Sequence, residues 1–324
     1  MKVLIADKFE QSGREALEQD GFAIDYQPDL SSEALPAALA ASAAVVLIVR
    51  STKVPAAAFA ATESLKLVVR AGAGYDTIDT VAAGARGVSV ANCPGTNSTA
   101  VAELVLGLII SADRRIPSQV ADLRAGKWDK KGYSKARGLK GSTLGIIGVG
   151  QIGRLVARRA LAFEMKVIYH DVVACPELDE HPECQRLSMD EVFAQADVLS
   201  LHVPAIAETK HLVNARTLGL MKSHAVLVNT TRGSVVDEDA HFAALSEDKI
   251  GFAAVDVFAS EPAAADKVFA NRLTDLPNFY GTHHVGASTD QAQNAVADLA
   301  VKIISHFKAR GEVLCCVNSG QLKG

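Results

Sequence analysis

Short apolar, β-branched runs alternate with longer helical stretches along nearly the whole chain, and this restricts the fold more than any other feature. The first series of runs is Val3–Ala6, Phe22–Asp25, Val45–Val49, Leu67–Arg70 and Val88–Ala91, with helical segments such as Ser12–Gln19 and Ser31–Ala40 between them. Strands that are apolar on both faces and joined by helices belong to parallel sheets covered on both sides. A long helical stretch, Ser98–Arg114, precedes a second series: Leu144–Ile147, Lys166–Tyr169, Val198–Leu201, Ala225–Val228, Phe252–Val255 and Phe279–Gly281. Six strands is the number in a two-halved dinucleotide-binding sheet. A helix over Ser288–Lys308 follows, and Glu312–Asn318 reads as a closing strand or extended tail. The expected fold class is α/β with two doubly wound parallel-sheet domains, and the C-terminal part has the option of returning to the first of them.

The 324 residues suit about two domains. Hydrophobic residues are 49% and charged residues 22%, which excludes a disordered or low-complexity chain. The formal net charge of −4 and the lack of a basic block give no sign of nucleic-acid binding. The most apolar run, Ala43–Val49, is seven residues, against the ~20 needed to cross a bilayer. No secretory signal opens the chain, so no membrane partner is expected. Five cysteines, an odd number without CxxC spacing, argue against a disulfide framework or a metal site, and a cytoplasmic location is expected. Adjacent Cys315 and Cys316 read as small apolar residues near the closing strand.

Gly148, Gly150 and Gly153 fit G-x-G-x-x-G, with an apolar strand before them and an amphipathic helix, Gln151–Phe163, after them. Glycines at these positions give a tight turn, close approach to a pyrophosphate, and close helix–strand packing, while the helix N-terminus offers free N–H groups to phosphate. Asp171, eighteen positions past Gly153, suits the adenine ribose hydroxyls. Its charge would repel a 2′-phosphate, and no arginine follows it in sequence, so NAD is expected over NADP. Flavin and S-adenosylmethionine sites share much of this pattern, so it does not give the reaction.

Ligands of open α/β sheets bind beyond the carboxyl ends of the strands. Arg232 follows the fourth strand of the second series, Glu261 the fifth and His284 the sixth. An arginine that grips a carboxylate in two prongs, a histidine that exchanges a proton with an alkoxide, and a carboxylate that orients the imidazole suit hydride transfer to a 2-keto acid. His283 is the rival proton donor, and His202 is read as structural or cofactor-side.

With these residues in place, the sequence resembles the D-isomer-specific 2-hydroxyacid dehydrogenases, and within them the phosphoglycerate dehydrogenases. The matching segments are Val49–Val54, Arg70–Asp76, Asn92–Ser98, Ala102–Leu104, Gly148–Gly153, Asn229–Glu238, Asp256–Pro262 and His284–Thr289. The resemblance implies a flavodoxin-like substrate domain, residues 1–97 and 287–324, around an inserted NAD-binding Rossmann domain, residues 98–286. It implies catalysis by Arg232, Glu261 and His284. It implies cofactor contacts from Ala73, Gln151, Ile152, Asp171, Val203, Thr230, Thr231, Asp256 and Gly286 beside the three loop glycines. Amides of Ala71, Gly72, Ala73 and Gly74 would meet the substrate carboxylate, with Arg50 and Arg70 near the anionic substrate. Much of a homodimer interface would come from Ser98–Arg114.

The implied reaction is NAD-dependent oxidation of D-3-phosphoglycerate to 3-phosphohydroxypyruvate, which opens serine synthesis. The alternatives are a reductase of glyoxylate, hydroxypyruvate or another 2-keto acid, and an NADH-sensing corepressor of the same fold. A phosphate pocket from Arg50, Arg70 and a neighbouring subunit's Lys130 or Lys131 would separate the first two. Two departures stand out. The family's proline before the catalytic histidine is His283 here, and the chain ends at Gly324 where many relatives continue into a serine-sensing domain, so feedback through such a domain is not expected.

Overall fold

A computed structural model of the chain describes residues 1–262 and 268–322, which divide into two compact units. Unit 1 is Met1–Asn97 with Ser288–Gly324, and unit 2 is Ser98–Ala287.

Unit 1 holds β1 (Lys2–Ile5), β2 (Ala23–Tyr26), β3 (Val46–Val49), β4 (Leu67–Arg70) and β5 (Ser89–Asn92), all parallel, in the order β2-β1-β3-β4-β5. Successive residues of these strands point to opposite faces. Val3, Ile5, Val46, Ile48, Leu67 and Val69 pack with Ala297, Ala300, Ile303 and Ile304 of the helix Asp290–Arg310. On the other face Leu4, Leu47, Val49, Val68 and Val90 pack with Leu35, Leu39 and Phe59. The strand order reverses between β1 and β3, the place where such sheets open a crevice at their carboxyl ends. Residues 312–318 form no strand. They bridge Ala91 to Cys316 antiparallel, and Asn318, 1% exposed, accepts from Val90 N at 2.8 Å and donates to Val88 O at 3.0 Å.

Unit 2 holds β6 (Thr143–Ile147), β7 (Lys166–His170), β8 (Cys184–Arg186), β9 (Val198–Leu201), β10 (Val226–Asn229), β11 (Phe252–Val255) and β12 (Phe279–Gly281). They form one parallel sheet in the order β12-β11-β10-β9-β6-β7-β8. The sheet has seven strands where the sequence suggests six. The extra strand, β8, is three residues of Cys-Gln-Arg at an edge, too short and too polar to give a periodic signal. One face is covered by the helices Ser98–Arg114 and Gln151–Ala162, which pack Val105, Ile109, Val156 and Ala160 against Leu144, Ile146 and Val228. The other is covered through Phe193 and Leu245 against Ile147, Leu199, Leu201 and Leu227. The long helix stops at Arg114 because Arg115 adopts a left-handed φ of 51° and Pro117 opens the next helix, Ile116–Arg124. The reversal of strand order falls between β6 and β9, so the glycine loop after β6 sits at the switch point. Among the described residues, no helix is long and apolar enough to cross a membrane.

Candidate active site

The loop after β6 is shaped by backbone contact. Gly148 has φ +93°, and a Cβ there would lie 2.7 Å from the His202 carbonyl oxygen. At Gly153 a Cβ would lie 2.2 Å from the Gly148 oxygen, so only glycine lets the helix Gln151–Ala162 sit this close to the strand. Above Gly150 the space is open, and this residue caps the helix with no side-chain bond to the helix amides. Free N–H groups at an open helix N-terminus fit a pyrophosphate. The site thus fits a dinucleotide on its own geometry.

Asp171 follows β7 directly, and its carboxylate accepts from Val149 N at 2.7 Å and Val173 N at 2.9 Å. These bonds hold the acid beside the glycine loop. Gln151 accepts from Ser98 Oγ through Oε1 at 3.3 Å. Thr230 follows β10, and its Oγ1 is buried with no hydrogen-bond partner among the described residues. Val203 follows β9 one residue past His202. His202 is part-buried with Nε2 2.9 Å from Ser200 Oγ, and desolvation pushes its pKa down to about 3, so it is neutral and unsuited to donating a proton.

Arg232 is set by the Asn229 side chain. Oδ1 of Asn229 accepts from Thr231 N (3.0 Å) and Thr231 Oγ1 (2.7 Å), and its Nδ2 donates to Arg232 O (3.1 Å). Arg232 Nη1 donates to Thr231 O at 2.8 Å. The next residue has no room for a side chain: a Cβ at Gly233 would lie 2.0 Å from the Phe258 carbonyl carbon and oxygen. The loop that carries Arg232 therefore rests directly on the loop that carries Glu261.

Glu261 reaches His284, with Oε2 2.8 Å from Nδ1, while its Oε1 accepts from Phe258 N at 3.2 Å. Burial pushes its carboxyl up, but the bond and charge of His284, the Phe258 amide and the Arg232 charge outweigh this and hold it below the usual carboxylate value. Arg232 thus acts electrostatically on the same carboxylate. His284 has a left-handed φ of 53°, a conformation that costs a non-glycine residue roughly 1–2 kcal/mol and that persists where surroundings enforce it.

Asp256, 2% exposed, supplies the enforcement. Its carbonyl accepts from His284 N at 2.9 Å, and its carboxylate accepts from Thr282 Oγ1 (2.5 Å), Val285 N (2.9 Å) and Gly286 N (2.8 Å). The carboxylate is thus directed at the histidine loop. Glu238 braces the other loop, accepting from Ala259 N at 3.1 Å and Asn271 Nδ2 at 2.9 Å. Neither role has a local sequence signal, since each joins residues more than twenty positions apart.

Unit 1 carries the remaining candidates. Asp7, just after β1, accepts through Oδ2 from Arg50 N (2.6 Å), Ser51 N (3.1 Å) and Thr52 N (3.1 Å) and so fixes the loop after β3. Arg50 Nη1 donates to Gln293 Oε1 at 3.0 Å. The Arg70 guanidinium lies over Gly72, where a Cβ would sit 1.6 Å from Nη1. Asn92 Nδ2 donates to Ala73 O (2.6 Å) and Cys93 N to Gly72 O (2.9 Å), which hold the Ala71–Gly74 loop. Among the described residues, no group of three His, Cys, Asp or Glu could hold a metal ion.

A glycine loop at the switch point, with a Glu–His pair and an arginine on the same sheet edge, marks unit 2 as a nucleotide-binding unit with titratable groups beyond the carboxyl ends of its strands. Residues 106–286 match the NAD-binding domain of D-isomer specific 2-hydroxyacid dehydrogenases, and the chain belongs to that family. It is 39% identical over 97% of its length to a Methanocaldococcus jannaschii D-3-phosphoglycerate dehydrogenase, of which it covers 58%. It is 42% identical over 81% of its length to a Thermotoga maritima hydroxypyruvate reductase, of which it covers 84%. A crystal structure of a protein from Thermus thermophilus is similar at TM-score 0.87 and 31% identity, covering 98% of this chain and 100% of that one. The chain thus spans well under two thirds of the phosphoglycerate dehydrogenase and most of the reductase.

Proposed function

We propose that the chain catalyses the NAD-dependent oxidation of D-3-phosphoglycerate to 3-phosphohydroxypyruvate, in serine biosynthesis. The observation that carries the dehydrogenase chemistry is the Glu261–His284 pair, 2.8 Å apart, on the sheet edge that also carries Arg232 and the glycine loop. The identity to D-3-phosphoglycerate dehydrogenase over nearly the whole chain supports the substrate.

NAD held at the glycine loop would supply the hydride acceptor for oxidation and, as NADH, the donor for reduction. His284 exchanges the hydroxyl proton through Nε2, because Nδ1 is engaged by Glu261. Glu261 orients the ring through this bond. Arg232 grips the substrate carboxylate and polarises the carbonyl. Gly148, Gly150, Gln151, Ile152, Gly153, Asp171, Val203, Thr230, Thr231, Asp256 and Gly286 bind the cofactor in this reading, with Ala73 from unit 1. Residues 1–97 and 287–324 form the substrate domain, with Arg50, Arg70 and the amides of Ala71, Gly72, Ala73 and Gly74 taking the anion, and residues 98–286 form the NAD domain. A cytoplasmic homodimer built on Ser98–Arg114, with Lys130 or Lys131 of a second copy near the phosphate, completes the proposal.

The second reading, a hydroxypyruvate or glyoxylate reductase, is favoured by the 42% identity to a reductase that the chain covers almost throughout. Turnover decides between them. The panel is D-3-phosphoglycerate and D-glycerate with NAD, and 3-phosphohydroxypyruvate, hydroxypyruvate and glyoxylate with NADH. Charge-assisted bonds to a phosphate should favour the phosphorylated substrates in kcat/KM by roughly tenfold or more. A preference for the unphosphorylated acids supports the reductase. No turnover on any of them overturns both readings and leaves the corepressor.

A further inference from the structure

The short edge strand β8 brings a residue to the nucleotide site from fifteen positions away. Tyr169 of β7 is paired in register with Arg186 of β8, and Arg186 Nη2 donates to the backbone oxygen of Asp171 at 2.8 Å. The two strand ends are tied again beyond this point, by Leu187 N to Tyr169 O at 2.9 Å and by His170 Nδ1 against Leu187 O at 3.1 Å. Arg186 is exposed, and its guanidinium forms no ion pair with a carboxylate among the described residues. It therefore stands against the turn that carries the ribose-binding acid, with its guanidinium at the surface. Along that turn Val172 and Val173 are 91% and 68% exposed, an open apolar flank of the kind an adenine covers.

We propose that Arg186 is a second determinant of which nicotinamide dinucleotide binds, opposed in sign to Asp171. Asp171 repels a 2′-phosphate. Arg186 is the cation that accepts this phosphate once the repulsion is removed. An arginine close to the adenine ribose is the general device for holding a 2′-phosphate, and the planar fork suits it better than a lysine would. The sequence around Asp171 contains no such arginine, and only the pairing of β7 with β8 supplies one. The inference rests on reading the glycine loop as the nucleotide site.

The test is direct binding, by titration calorimetry, of adenosine 5′-monophosphate and adenosine 2′,5′-bisphosphate to the whole chain. Asp171→Ser should tighten the bisphosphate on the order of tenfold, and adding Arg186→Gln to that variant should reverse the gain while leaving the monophosphate unchanged. In the unaltered background Arg186→Gln should weaken the bisphosphate alone. A double variant that binds the bisphosphate as tightly as Asp171→Ser overturns the proposal. So does an equal loss of both nucleotides, which would make Arg186 only a support of the turn. Failure of the unaltered protein to bind the monophosphate would refute the nucleotide site itself, a result separate from any effect of Arg186.

Discussion

Nδ1 of His284 lies 2.8 Å from Oε2 of Glu261, which commits one ring nitrogen to the carboxylate and, in the proposed reaction, leaves Nε2 for the substrate oxygen. Glu261→Gln keeps the shape of this contact and removes the charge of the carboxylate. The imidazole then loses its charged partner, so kcat in both directions should fall by roughly tenfold or more. His284→Ala should remove most of kcat at every pH, and His283→Ala should be mild. A glutamine variant with unaltered kcat would refute the pair.

The same contact sets an acid limit. Burial alone would push the Glu261 carboxyl up, but its bonds to His284 and Phe258 N and the charge of Arg232 hold it down. A lowered value keeps the carboxylate ionised as pH falls through the ordinary range near ~4.3. Activity lost through Glu261 protonation should therefore appear only below that range, in assays short enough to precede unfolding. Loss centred at or above it contradicts the geometry.

Arg232→Lys keeps the charge but not the fork. KM for the acid substrate should rise steeply and kcat should fall, each by roughly tenfold or more, while NADH affinity measured by fluorescence stays as it was. Unaltered kinetics would remove Arg232 from substrate binding.

Gly233→Ala places a methyl 2.0 Å from the Phe258 carbonyl, which is backbone and cannot rotate away. Overpacking of this kind typically costs about 1–3 kcal/mol. Urea unfolding should report that loss, and the surviving folded enzyme should lose kcat, because Arg232 and Glu261 lie on the two loops forced apart.

Asp197 offers a test of stability away from the site. Burial pushes its carboxyl up, yet bonds from His224 Nε2, Thr143 N and Lys222 Nζ outweigh this and bring it down to about 2. A carboxyl depressed on folding stabilises above its unfolded value and loses that contribution as pH falls through the folded one. The contribution, about 2 kcal/mol, is present at neutral pH and decays between roughly pH 4 and pH 2. Asp197→Asn should be less stable by about this amount at pH 7, with the gap already closing at pH 3. A gap that does not depend on pH would assign the effect to packing.

The residues legible in the sequence sit close to strand ends. Arg232 follows Asn229 by three positions, Glu261 follows Val255 by six, and His284 follows Gly281 by three. Apolar strands and glycine loops have local patterns, so the sheets and the nucleotide loop can be read directly. What cannot be read depends on side chains that bond to distant backbone. Asp7 carries the Arg50 loop across more than forty residues, and Asp256 holds the His284 loop across nearly thirty. An isolated aspartate in sequence gives no sign of either partner. Strand β8 is hidden for a different reason, since three residues, two of them polar, paired on one side only give no apolar pattern.

Asn318 closes the open edge of β5 by bonding to both Val88 and Val90, and it is synthesised long after them. Unit 2 is contiguous and has its entire sequence once Ala287 emerges from the ribosome. Unit 1 must wait for the segment beyond it, so the β5 edge stays unsealed for roughly 10–40 s at ordinary translation rates. An unpaired strand edge is a template for association with other chains. The nascent protein therefore passes through a stage in which its nucleotide-binding half can be finished while its other half is at its most adhesive.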